Sequence, residues 1–426
     1  MVQLTQHPER VPLHNEVHAR PPEAMTVPLA IAHLVMFADA DGRASSRQHL
    51  AALLRDHHIA PPDEHTTHLR AELGSFRLRW ELHTEFVTWT FAVQMRGDIS
   101  AASPLASAVD QVPQDWLAAL PGQCLSSLDM WVLPDQPGVL RSDHQVLRDD
   151  ALVGSAVAAS NAQVFTDFAI HANGFSRLLL HAGDLPPRRL GRLVQRLLEV
   201  ETYRMAAMLG LPAARRAGAA LASAESELAA LAQAIQSAER HEEAQLLDRL
   251  TSLAAQVESE YAATHSRFSA SSAYFELMDQ RIVQIDETPL DGLQTIGEFI
   301  DRRVTPARKT VEWAARRQDG LSRRVSRISN LLRTRVEIEQ QHGSQALLEA
   351  LNKRQDIQLR LQATVEGLSV AAITYYVVGL VSYLAKAGQA LGWPLSSEST
   401  AALAIPVVAA SVWWSLRRLH RKLFTH

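Results

Sequence analysis

Two stretches near the C-terminus carry no charged residue: GLSVAAITYYVVGLVSYLA at 367–385 and TAALAIPVVAASVWWSL at 400–416. A membrane-spanning helix needs roughly 17–25 mainly apolar residues, and each run reaches that length with its flanks. The expected spans are about 367–386 and 399–418. Trp393, Trp413, Trp414, Tyr375, Tyr376 and Tyr383 fall near the ends or outer turns of these runs, where interfacial aromatics collect. The alternative is a pair of helices buried in a soluble core. Arg417, Arg418, Arg421 and Lys422 follow the second run, and Lys353, Arg354 and Arg360 precede the first. The connecting segment holds only Lys386 and Glu398. That asymmetry predicts both termini in the cytoplasm, a basic tail at 421–426 and a small loop outside.

Upstream, residues 213–366 are rich in Ala, Glu, Gln and Arg. Leu246, Leu250, Leu253, Val257 and Tyr261, and then Leu321, Val325, Ile328 and Leu332, recur at intervals of three and four. That period predicts long helices with one apolar stripe each, packed as in an antiparallel coiled coil. TPLDG (288–292) predicts a break and HGS (342–344) a second break or kink. The last helix should then run from about Ser344 into the first span. Arg323, Arg324, Arg327, Arg333 and Arg335 read either as a solvated face or as a surface for acidic lipid headgroups or a neighbouring subunit.

Residues 1–212 mix strand-like and helix-like patterns, the mark of an α+β or α/β domain. VPLAIAHLVMF (27–37) reads as a buried strand, RASSRQHLAALLRDH (43–57) as a helix, and GSFRLRWELHTEFVTWTFAV (74–93) as a hairpin turning at HTE. Strands are expected again at 128–134, at 164–172 and in FSRLLLHAG, before an amphipathic helix at 186–209 opened by prolines. Cys124 is the sole cysteine, which excludes disulfides and cysteine zinc sites within the chain and suits a reducing compartment. A net charge of −4 with no basic stripe gives no reason to expect nucleic acid as a partner. The polar first ten residues show no signal-peptide core.

The chemistry concentrates in RVPLHNEVHARPP, residues 10–22. Ten of the eighteen histidines fall between His7 and His83. On a strand, His14, Glu16 and His18 share one face, and two imidazoles with a carboxylate can ligate a divalent metal. The alternative is a structural or ligand-sensing polar cluster of Glu16, His18 and Arg20 on one strand. His83 and Glu85 at the hairpin turn, and Glu199, Glu201, Tyr203 and Arg204 on the amphipathic helix, are candidates to join it. No Walker loop, Gly-x-Gly-x-x-Gly or Gly-x-Ser-x-Gly appears, and the expectation is a protein that is not an enzyme.

NEVHARP (15–21), FRLRWELHTEF (76–86) and RLLEVETYRMAAMLGLP (196–212), followed by helices and the apolar pair, resemble an uncharacterised bacterial family. That family is the predicted membrane-anchored domain of unknown function 3422, and the resemblance implies the architecture without an activity. The order of elements is also similar to that of CorA-type pentameric cation channels, which implies a homo-oligomer in the bacterial inner membrane with the first span lining a pore. VSYLAKAGQALGW (381–393) lacks the Gly-Met-Asn that orders magnesium in those channels. A row stepping through Asp356, Ala363, Gly367, Ala371, Thr374, Val378 and Val381 either lines that pore, with Asp356, Gly367, Thr374 and Val378 as its candidates, or packs helix on helix. The expectation carried forward is a CorA-like assembly with a ligand- or cation-sensing head. The alternative is a membrane-anchored scaffold or regulator.

Overall fold

The computed structural model describes residues 5–11, 13–14, 21–96, 105–135, 146–239, 241–389 and 394–423. The chain divides into two compact units, Met1–Ile328 and Ser329–His426.

In the first unit, strand β1 (Leu29–Phe37) reads LAIAHLVMF, apolar at nearly every position rather than at alternate ones. A strand of that composition is covered on both faces. It lies inside a nine-stranded sheet. The other strands are β2 (His68–Glu72), β3 (Arg77–Leu82), β4 (Phe86–Gln94), β5 (Gln123–Pro134), β6 (Val153–Val157), β7 (Ala162–Thr166), β8 (Ser176–Ala182) and β9 (Thr288–Pro289). Their order is β2-β3-β4-β1-β5-β8-β7-β6-β9. Named neighbours pair antiparallel, with β5 and β8 the one parallel pair.

The alternation of side chains separates two cores. Ala30, Ala32, Leu34 and Met36 point to one, with Trp80, Trp89, Phe76 and Phe91 and with Leu50, Leu53 and Leu54 of helix α1 (Ala40–Asp56). Trp116 of the short α2 (Gln114–Ala118) closes that side, its ring stacked on His49 at 4.4 Å. Leu29 and Ile31 point to the other core. It is capped by α3 (Pro187–Met208) through Leu190, Leu193 and Leu197 and by α5 (Glu243–Ile285) through Phe275 and Met278. Between α3 and α5 runs α4 (Gly210–Ser237).

The expected apolar stripe buries Leu246, Leu250, Leu253 and Val257 of α5 and Leu321 and Val325 of α6 (Ile296–Gln389). Arg317 donates to both oxygens of Glu225 on α4, at 3.0 and 2.6 Å, and Arg324 adds a third bond at 3.1 Å. These helices, as far as Ile328, belong to the same compact unit as the sheet. TPLDG does separate α5 from α6, but HGS does not break the chain: α6 passes unbroken through 342–344. One glycine costs a helix only about 1 kcal/mol, too little to end it among strong helix formers.

The second unit contains the remainder of α6 and α7 (Ser397–Leu423). By length and composition α6 is able to cross a membrane. Leu368, Tyr375, Tyr376, Tyr383 and Leu384 each expose more than 70% of their surface. On α7, Leu403, Val407 and Trp414 are also open.

Candidate functional site

Strand β3 reads RLRWEL. Leu78 and Trp80 enter the aromatic core, so the alternation turns Arg77, Arg79 and Glu81 to the opposite face. Such a face ordinarily meets water, but here α3 lies over it and α5 reaches the hairpin turn at Glu85. Helix α3 presents Gln195, Glu199 four residues on, and Thr202 and Tyr203 three and four beyond that, and α5 presents Arg267, Tyr274 and Arg281 at intervals of seven. Both sets lie on single helix faces.

The result is a polar seam between sheet and helices. Glu85 accepts two bonds from Arg267, at 3.1 and 2.5 Å. Tyr274 stacks on Tyr203, with ring centroids 6.1 Å apart. Burial pushes the Tyr274 phenol well above its usual range, and the Glu85 carboxylate adds to that. Arg281 pairs with Glu199. Gln195 donates to Glu199 at 2.8 Å and accepts from Arg79 at 3.4 Å, and Arg79 binds Glu81 at 2.7 Å. Next along α3, Glu201 is held by Arg204 at 2.9 and 2.7 Å and by the Ser126 hydroxyl at 3.3 Å.

His33 is the one polar residue that β1 puts on this face, and it is fully buried. The Thr202 hydroxyl donates to the Leu198 carbonyl at 2.9 Å, which leaves its oxygen to accept from His33 Nε2–H at 3.0 Å. Nδ1 then accepts from the Thr90 hydroxyl at 2.8 Å. Burial lowers the His33 pKa from 6.5 to about 4, with nearby Glu81 opposing and Arg79 and His83 adding to the effect. Because the unfolded chain then binds this proton more readily, stability is whole above pH 6.5 and falls as pH drops towards 4. The loss is about 3 kcal/mol at most. Urea midpoints measured from pH 7 to pH 4 should show this slope, and His33→Gln should flatten it.

The sequence-predicted residues divide. Glu85 and Tyr203 come together around Tyr274, and Arg281 links Tyr203 to Glu199, whereas Glu201 pairs separately with Arg204. His83 stacks on Phe86 at 4.5 Å. Arg10, Val11, Leu13 and His14 are helical and exposed, so His14 is not on the expected strand. The prolines and polar residues around it do not supply the alternating apolar face that holds a strand in a sheet. Glu16, His18 and Arg20 lie outside the described residues. Among the described residues, no group of three His, Cys, Asp or Glu is placed to hold a metal.

The segment that follows the motif is docked. Arg70 donates to the Pro21 carbonyl and Arg77 pairs with Glu23. The Met25 N–H donates to the Pro187 carbonyl at 3.0 Å.

In the second unit, Asp356 and Gly367 are exposed on α6. Thr374 is buried, and its hydroxyl donates to the Val370 carbonyl at 2.7 Å. Thr374 and Val378 share a groove with Ile405 of α7.

Sequence reading missed His33, Arg79, Arg267, Tyr274 and Arg281. The seven-residue spacing on α5 and the charges alternating along β3 were the available signals. Chemically, each carboxylate in the seam is neutralised by an arginine and both nitrogens of His33 are engaged. Such a network holds helices in register over a sheet.

No curated protein and no solved structure matches the chain, and the architectural resemblance to CorA-type channels gains no support from these comparisons. Residues 5–423 match the family model described as "Protein of unknown function (DUF3422)". With nearly its whole length matched, the chain belongs to the DUF3422 family.

Proposed function

We propose that this protein is a membrane-anchored scaffold or regulator, held in the bacterial inner membrane by a C-terminal two-helix hairpin and presenting the α+β head to the cytoplasm. The observation that carries the reading is the exposed apolar surface of α6 and α7. Each large apolar side chain left in water forfeits about 1.5–3 kcal/mol of burial, and so many together on two helices call for a lipid environment. The basic residues flanking both charge-free runs favour the side on which the termini lie.

The head supports a binding rather than a catalytic role. Glu85, Glu199 and Glu201 are each committed to an arginine, and His33 is neutral and enclosed. A general acid or base needs a group free to exchange its proton with substrate. On the hairpin, the Thr374 hydroxyl is already committed to its own helix.

The full chain reconstituted into liposomes should remain with the vesicles through an alkaline wash. It should pass neither monovalent nor divalent cations faster than protein-free vesicles. Sustained ion flux would overturn the anchoring role in favour of a channel, and release by the wash would overturn membrane insertion itself.

A further inference from the structure

The apolar groove in the second unit has one unusual member. It holds about 840 Å³ and is lined on α6 by Thr374, Val378, Gly379 and Tyr383, with Ile405 of α7 on its far side. Its only charged lining residue is Lys386, which stands at one end. Lys386 has no acidic partner among the described residues.

From Ala371 to Lys386 the lining covers sixteen residues of helix, about 22 Å for fifteen steps of 1.5 Å. That is most of the roughly 30 Å hydrocarbon thickness of a bilayer. A long, mainly apolar trough, with hydroxyls from Thr374, Ser382 and the tyrosines and one ammonium at its end, complements an acyl chain joined to an anionic headgroup. Gly379 opens the trough, because a Cβ placed there meets nothing within 4 Å.

We infer that this groove binds the acyl chain of an anionic phospholipid whose phosphate pairs with Lys386. The assignment rests on the membrane reading above. The trough takes the chain by dispersion and exclusion from water, which any lipid shares. Lys386 supplies the discrimination, since a zwitterionic headgroup brings its own cation to compete for the phosphate.

The test uses the full chain in vesicles of equal phosphatidylcholine and phosphatidylglycerol, extracted into mild detergent, with retained lipid counted by native mass spectrometry. One phosphatidylglycerol per chain should be kept at least tenfold over phosphatidylcholine. Lys386→Gln should bring the two to parity, Lys386→Arg should restore the preference, and Gly379→Phe should expel the retained lipid. Equal retention by the natural protein, or an unchanged preference in Lys386→Gln, overturns the site while leaving the anchor intact. A chain that leaves the vesicles in an alkaline wash overturns the membrane reading, and this inference falls with it.

Discussion

Gly191→Ala should lower the stability of the head by about 3 kcal/mol or more. Gly191 lies on the face of α3 that receives the chain segment ending at Met25. A Cβ there would stand 1.6 Å from the carbonyl oxygen of Glu23, a backbone atom that cannot swing aside. Either α3 shifts against the sheet or residues 21–25 leave their seat. The second outcome exposes Met25 and breaks the Arg77–Glu23 pair. Denaturant unfolding should register the loss, and limited proteolysis should cut the variant near residue 25 where the natural protein resists. Gly218→Ala serves as the control: its site on α4 is open, so the change should be neutral or stabilise by up to about 1 kcal/mol.

The second large effect is expected at Arg204. Its guanidinium grips both oxygens of Glu201, a carboxylate only 7% exposed. It also lies 5.3 Å over the ring of Phe168, which stacks at 4.4 Å on Phe299 of α6. Burial works against the Arg204 charge, and the Glu201 carboxylate outweighs it, raising the pKa above its ordinary value. Arg204→Ala strands a buried anion with only the Ser126 hydroxyl and should cost about 3–5 kcal/mol. Replacing both partners, as Glu201→Gln with Arg204→Met, should recover most of that loss, because the penalty belongs to the orphaned charge more than to the missing pair. Urea unfolding of the two single variants and the double variant decides it. A double variant as unstable as Arg204→Ala would mean that the cation–π stack, not the ion pair, holds α3 to α6.

Much of the fold was legible where one period dominated. The hairpin turning at His83–Glu85, the buried strand ending at Phe37 and the proline-opened helix at 187–208 all follow from local pattern. The HGS break failed because a single glycine is a weak signal in a long helical context. Functional reading failed for a different reason. Alternation on β3 says which residues share a face but not what covers it, so Arg79 and Glu81 read as solvated until α3 is laid over them. Arg267 and Arg281 meet Glu85 and Glu199 across 182 and 82 residues of chain, contacts that no local pattern encodes. His14 shows the converse: a suggestive spacing whose strand geometry was absent at the one member the structure describes.

The proposed anchor requires α6 and α7 to cross a membrane with the head on one side and Leu395 on the other. Cys124 is the only cysteine and is exposed on β5, so it reports the side of the head directly. Leu395→Cys in a Cys124→Ser background reports the side on which the segment before α7 lies. In intact spheroplasts, a membrane-impermeant maleimide should label Leu395→Cys and spare Cys124, and lysis should open Cys124 to labelling. Labelling of both positions in sealed cells, or of neither, would overturn the two-span anchor.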